Sequence, residues 1–319
     1  MIAELIGHFI LTSSILRVIP TDASAFEVSV GESEPFVRLT AAADEGFATL
    51  PRSADRAAGP KKVDVDSYGV VTSAQSAVVV DAASGAVLYS KLPNDPRAIG
   101  SITKLMTVYT FLQTDPELDT KVTLVPEDYV AGGRVYLRFD DAVYLYDVLK
   151  TSLVGSDNTA TAALARLAGM TDEDFVASMN TNAASLGMTS THFEDLSGVS
   201  AYNTSTAYDL TKLLAAAEAN VTMANIMVMD DVTVSQASGY AVTVESTNML
   251  LDSFLNADTY HIVAGKTGFI PQAGYCLAMS VVHGKGQVRV VVLGAPTLTS
   301  RFVDAKGLAA WAFKTFSWE

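Results

Sequence analysis

Ile262-Val-Ala-Gly-Lys-Thr-Gly-Phe269, Tyr275-Cys-Leu-Ala-Met-Ser-Val-Val282, the turn His283-Gly-Lys-Gly286 and Val288-Arg-Val-Val-Val-Leu293 form the stretch whose reading decides the fold. Branched and apolar runs bounded by glycine-rich turns predict strand, strand, hairpin turn, strand. Within the first strand Lys266 and Gly268 share one face, and Thr267 points the other way unless the edge is twisted. Gly268 removes a side chain where a substrate backbone would lie alongside. Taken alone, the segment also reads as a glycine-containing loop before an ordinary strand.

Outward from these strands, SAVVVDAASGAVLYSK (76–91) predicts an early hairpin with Gly85 at its turn. A long helical middle follows, and VDAKGLAAWAFKTF (303–316) predicts a closing helix. The early hairpin must then join the late strands in one antiparallel sheet, with the helical block packed beside it. That is an α+β domain.

Ser101-Ile-Thr-Lys104 opens one of the helices. The run 101–113 has apolar residues at 102, 105, 106, 108, 109 and 112, close to the helical period, and no Gly or Pro. Positions i and i+3 lie one turn apart on one face, so Lys104 can reach the Ser101 hydroxyl. A serine hydroxyl needs an adjacent base to act as a nucleophile. A lysine serves as that base only where burial or a second cation lowers its pKa. Leu105, Met106 and Val108 would supply the burial and Lys266 the second cation. The ordinary alternative is an N-cap serine followed by a solvated lysine.

Ser156-Asp157-Asn158 lies between amphipathic Tyr144–Val154, ended by Gly155, and a second helical segment, Asn158–Leu167. It reads as a turn plus N-cap. In a functional reading, Ser156 relays a proton to a leaving group while Asn158 holds Lys104 and a substrate amide. Backbone N–H groups of Ser101 and Phe269 would serve as the oxyanion donors.

From Ser76 to Phe316 the chain resembles the low-molecular-mass penicillin-binding proteins, the serine-type D-alanyl-D-alanine carboxypeptidases. The resemblance covers 76–91, RAIGSITKLMTVYTFLQ (97–113), MNTNAASLGMTSTHF (179–193), STAYDL (205–210) and VVLGAPTLTSRF (291–302). It implies a five-stranded antiparallel sheet flanked by helices, with an inserted helical subdomain, as in serine β-lactamases and penicillin-binding proteins. It further implies that Ser101 attacks the carbonyl between the terminal D-alanines of a peptidoglycan stem peptide. Lys104 would take the hydroxyl proton, and Ser156 would protonate the departing D-alanine. Lys266, Thr267 and Arg301 would hold the free carboxylate, and β-lactams would acylate the same serine. The chain departs from the family at Ile99-Gly100, where Pro-Ala is usual. It also lacks a frequent second arginine, with Met249 about where that residue is expected. A C-terminal β-rich domain and membrane anchor are expected to be missing.

A class A β-lactamase shares all three motifs, and Asp157 leans that way because many of the resembled carboxypeptidases have Gly there. Such an enzyme also needs a glutamate to activate the deacylating water. Glu194 is the candidate, although HFEDLSGVSAYNTSTAYD (192–209) looks like the carboxypeptidase turn. A catalytically inert peptidoglycan-binding homologue is the competitor from another class, and the residues do not separate carboxypeptidase from endopeptidase action.

A net charge of −14 over 319 residues argues against nucleic acid and anionic membrane surfaces as partners. Cys276 is the only cysteine, so no internal disulfide forms, and its apolar strand predicts a buried thiol. His8, His192, His261 and His283 show no metal-ligand spacing, and neither a metal nor a cofactor is expected. Residues 1–25 read as an atypical signal peptide: an apolar stretch precedes Ala23-Ser-Ala25, but Glu4 stands where a basic residue belongs. Residues 26–73 read as a linker or loosely ordered arm, and 74–319 as the catalytic domain. The implied substrate requires an extracytoplasmic location.

Overall fold

The computed structural model describes residues 58–319; the expected signal peptide and residues 26–57 of the expected arm lie outside them. Five strands form the central sheet: β1 (Ser76–Asp81), β2 (Val87–Lys91), β3 (Tyr260–Ile270), β4 (Gly274–His283) and β5 (Gly286–Ala295). They are antiparallel throughout, in the order β3-β4-β5-β1-β2. The early hairpin joins the late strands through the pairing of β1 with β5, as the sequence requires. β3, which carries Lys266-Thr267-Gly268, is therefore an edge strand.

Seven helices accompany the sheet among the described residues: α1 (Thr103–Leu112), α2 (Leu145–Leu153), α3 (Asn158–Leu167), α4 (Asp172–Ser185), α5 (Ala207–Ala219), α6 (Val221–Met227) and α7 (Leu298–Thr315). Val78, Val80, Ala278 and Val291 face the core shared with the helical block. Ala77, Val79, Met279 and Val290 face the other way, toward Phe302, Leu308 and Ala312 of α7. Burial on both faces explains why these strands read as unbroken apolar runs rather than as alternation. Each fully buried valine or leucine contributes about 1.5–3 kcal/mol, so the central strands hold the domain together.

Three features depart from the sequence reading. Ser101 lies in a 3₁₀ turn, Gly100–Ile102, and α1 proper starts at Thr103. The closing helix begins at Leu298, before the expected 303, because Thr297 caps it. Thr297 Oγ1 accepts from Ser300 N at 3.0 Å, and Ser300 Oγ accepts from Thr297 N at 2.9 Å. That earlier start puts Arg301 on the helix. Finally, the helical middle contains a hairpin, Asp231–Ser235 with Ala241–Glu245, whose Val234 and Val244 are buried in the helical core.

The described end of the stretch read as an arm is tied to the domain. Lys61 and Lys62 pair with Ser317 and Phe316, and Trp311 Nε1 donates to Ser67 Oγ at 2.7 Å. Asp304 of α7 accepts from Ser73 N at 3.1 Å, Ser73 Oγ at 2.8 Å and Ala74 N at 2.8 Å. An apolar replacement would leave these donors unpaired in a largely buried place. Asp304→Ala is expected to lower unfolding stability by about 2–3 kcal/mol, read as a lower urea midpoint with an unchanged slope.

Candidate active site

The outer edge of β3 meets the turn that carries Ser101, and the approach is a backbone-to-backbone contact. A Cβ on Gly268 would come 2.2 Å from the Ile99 carbonyl oxygen. The space freed at Gly268 is thus filled by the chain's own backbone, which corrects the expectation that it clears room for substrate. Gly100 has φ +55, and a Cβ there would lie 2.7 Å from the Phe269 nitrogen. On the other side Gly198, at φ +85, would drive a Cβ to 2.1 Å from the Gly100 carbonyl oxygen. Only glycine permits these conformations and contacts together. The departure at Ile99-Gly100 falls at this junction, which sets the Ser101 and Phe269 backbones side by side.

Lys104 has no solvent exposure. Its Nζ lies 2.6 Å from Asn158 Oδ1, 2.6 Å from the Ser197 carbonyl oxygen and 3.0 Å from Ser101 Oγ. Asn158 Nδ2 donates to the Ala131 carbonyl at 3.1 Å, which turns Oδ1 toward the lysine. Burial lowers the Lys104 pKa from 10.5 to about 7, although the carboxylates of Asp157 and Asp195 push it upward. A neutral amine has two N–H donors and one lone pair. Two of its neighbours can only accept, so they take the two N–H groups and the lone pair is left for the Ser101 hydroxyl. That is the arrangement of a nucleophile beside its base.

Lys266 is 1% exposed, and its Nζ donates to Ser156 Oγ at 2.8 Å. Burial holds it well below its ordinary value, and repulsion from Lys104 and Arg301 adds to the effect. At Lys104 the sequence reading invoked both burial and the Lys266 charge; burial is the leading cause there. Ser156 has φ +59, a left-handed conformation that serine rarely adopts. The surrounding bonds hold it: Asp157 N donates to the Thr151 carbonyl at 3.1 Å, and Asp157 caps α3 by accepting from Ala160 N at 3.0 Å. Strain of this kind at a residue whose hydroxyl meets Lys266 accords with a functional position.

Thr267 Oγ1 lies 2.7 Å from the Thr247 hydroxyl. Arg301 Nη1 donates to the Gly268 carbonyl at 3.1 Å, its carbon lies 4.6 Å from the Phe302 ring centre, and its buried Nε has no partner. The structure thus joins Lys104 to Ser101 and Asn158 in one hydrogen-bonded group and Lys266 to Ser156 in another, near enough for the two lysines to repel, with Thr267, Gly268, Phe269 and Arg301 along the β3 side.

The β-lactamase features fare differently. Asp157 is fully buried, with Oδ1 capping α3 and Oδ2 accepting from Tyr136 N at 3.0 Å, so it serves the backbone. Glu194 is exposed and accepts from Ser200 Oγ at 2.6 Å, with no hydrogen bond to Ser101, Lys104 or Asn158. Met249, named for the missing arginine, is 61% exposed; the side chain that reaches Thr267 belongs to Thr247. Cys276 is buried opposite Gly268 in the β3–β4 register, and burial pushes its pKa up to about 11. Among the described residues no group of three or more His, Cys, Asp or Glu is placed to hold a metal ion. No helix among them is long and apolar enough to cross a membrane.

The motifs left the Ser197 carbonyl, Asp195 and Thr247 unnamed. Asp195-Leu-Ser-Gly198 is legible as a turn built on an aspartate. Nothing in the string indicates that this turn delivers a carbonyl to a lysine 93 residues away.

A sheet edge packed on a serine paired with a buried lysine defines the penicillin-binding, active-site serine DD-peptidase fold. The solved DD-transpeptidase of Streptomyces K15 superposes with a TM-score of 0.71 at 29% identity, over 78% of this chain and 100% of that one. The sequence model of peptidase S11, D-alanyl-D-alanine carboxypeptidase, matches residues 63–297. The chain belongs to that family. It is 34% identical to a D-alanyl-D-alanine endopeptidase of Escherichia coli, over 74% of this chain and 76% of that protein. A D-alanyl-D-alanine carboxypeptidase of Streptomyces sp. strain K15 is 31% identical, over 72% of this chain and 84% of its own length.

The contact between Gly198 and the Gly100 carbonyl generates a test. Gly198→Ala is expected to fold, by circular dichroism, but to lose roughly a hundredfold or more in acylation by a fluorescent penicillin, since displacing a reacting group by about 1 Å costs that much.

Proposed function

We propose that this chain is a serine D-alanyl-D-alanine carboxypeptidase that removes the terminal D-alanine of peptidoglycan stem peptides through an acyl-enzyme on Ser101. The observation that carries the reading is the hydrogen-bonding of Lys104, which leaves its lone pair for the Ser101 hydroxyl. Ser101 Oγ attacks the carbonyl carbon of the penultimate D-alanine while its proton passes to Lys104. The developing oxyanion is met by the N–H groups of Ser101 and Phe269. Ser156 relays a proton to the departing amine as the C–N bond breaks, giving up its own and taking one from Lys266, which donates to its Oγ. Lys266, Thr267 and Arg301 hold the carboxylate of the leaving D-alanine, and its negative charge favours the charged form of Lys266. Water then attacks the ester carbonyl, its proton replacing the one given up through Ser156 and Lys266, and Ser101 Oγ leaves with the proton held by Lys104. A β-lactam, which mimics the dipeptide, acylates the same oxygen and leaves slowly.

The substrate lies outside the cytoplasmic membrane, so the protein acts extracytoplasmically and residues 1–25 direct its export. A mature N-terminus near Phe26 on protein recovered outside the cell supports this; full-length protein confined to the cytoplasm counts against it. A second reading is endopeptidase action on D,D-cross-links, favoured by the E. coli relative named above. Comparing kcat/KM on a monomeric pentapeptide with that on a cross-linked dimer separates the two.

Ser101→Ala is expected to abolish both D-alanine release and penicillin labelling; retained covalent labelling overturns the assignment. With Lys104 as the base, the acylation rate should rise with pH through about 7, since the amine must be unprotonated to accept the proton. A rate independent of pH across that window argues against this base.

A further inference from the structure

The Ser197 carbonyl that completes the Lys104 environment is not held by regular secondary structure. It sits in the loop between α4 and α5, and one carboxylate organises that loop. Asp195 Oδ1 accepts from Ser197 N at 2.7 Å and Gly198 N at 2.6 Å, and Oδ2 accepts from Ser200 N at 2.6 Å. Asn203 ties the same loop to the nucleophile turn. Its Oδ1 accepts from Glu194 N at 2.7 Å and Asp195 N at 3.1 Å, and its carbonyl accepts from Ile99 N at 3.2 Å.

We infer that Asp195 is a positioning residue for the acylation step: by gathering the N–H groups of Ser197, Gly198 and Ser200 it aims the Ser197 carbonyl at Lys104 and fixes the direction of the Lys104 lone pair. This rests on the reading of Lys104 as the base. The mechanism is one of occupancy. Were the carbonyl to turn away, the neutral amine could direct an N–H at Ser101 Oγ, and the proton would have no acceptor. The four ion pairs among the described residues join Lys150 to Asp147, Arg166 to Asp128, Lys212 to Asp209 and Arg289 to Glu218. None neutralises Asp195, so its charge is met by backbone N–H groups and acts on Lys104.

The titratable groups facing Lys104 are Asp157 at the start of α3, Asp195 on this loop and Lys266 on β3. Asp195 favours the charged form of Lys104, so its neutralisation has a signature that a purely structural role lacks. The acidic limb of the acylation rate moves to lower pH, because the ammonium loses a stabilising charge. Asp195→Asn keeps the shape while removing the charge and one acceptor. Its acylation by a fluorescent penicillin is expected to fall about tenfold, part of the hundredfold or more that a positioned base contributes, with the limb displaced downward in pH. Asp195→Thr, which keeps one hydroxyl acceptor and no charge, should lose more rate with a displacement in the same direction; it serves where the asparagine variant fails to fold. A folded variant with the wild-type rate, or with a reduced rate and an unmoved limb, overturns the inference. Lys104→Ala run alongside separates the two ideas. If it still acylates, the base assignment fails; if it is inert while Asp195→Asn matches wild type, only the role of Asp195 fails.

Discussion

Keeping a lysine amine with no solvent exposure inside a helical core is costly unless the group is neutral and its hydrogen bonds are met. At Lys104 the neutral form is within reach near neutral pH and the hydrogen bonds are met. Burial brings the pKa to about 7, and an amide oxygen and a backbone carbonyl accept its N–H groups. Much of the remaining structure serves that one group. α1 is buried on almost every side, α3 supplies Asn158, and the loop between α4 and α5 supplies the Ser197 carbonyl. Together they keep the amine out of water and occupy two of its hydrogen-bonding positions.

A second constraint acts between the two halves of the domain. The nucleophile turn, the β3 edge and the Gly198 loop touch through their backbones, which glycine alone permits at these distances. Because this contact is made by main chain, the Ser101 and Phe269 N–H groups are positioned by the fold and not by side-chain rotamers. Electrostatic stabilisation of a transition state depends on such preorganised donors. The second buried lysine, Lys266, completes the arrangement by hydrogen-bonding the hydroxyl of Ser156, whose left-handed backbone is held by the bonds of Asp157.

The sheet was legible because strands buried on both faces leave long apolar runs that turn residues punctuate, and the β3, β4 and β5 segments stand at 262–269, 275–282 and 288–293 with only their ends extended. The helix of Asn158–Leu167 was legible for a similar local reason, its cap and period. Less legible was the start of α7, where a Thr297–Ser300 capping box lies ahead of the apolar pattern and carries Arg301 onto the helix. The hairpin at 231–245 was missed although its two five-residue runs alternate as strands do, with Val234 and Val244 buried and Val232 and Val242 packed partly against the core; it lies inside a stretch whose other elements are helices.

What the sequence determined by itself was the inventory: a serine and a lysine one helical turn apart, a capped turn bearing Ser156 and Asn158, and a strand bearing Lys266. Those follow from spacing and local periodicity. Only the tertiary structure decided what each group does to the others. Three of the decisive contacts, Ser197 with Lys104, Thr247 with Thr267 and Gly198 with Gly100, join segments distant in the chain. One of these groups is a backbone carbonyl, which every residue carries and no sequence pattern can single out. The roles of Asp157 and Gly268 changed for the same reason. Asp157 was read as a leaning toward a β-lactamase and Gly268 against a substrate, and each meets instead a piece of the chain's own backbone.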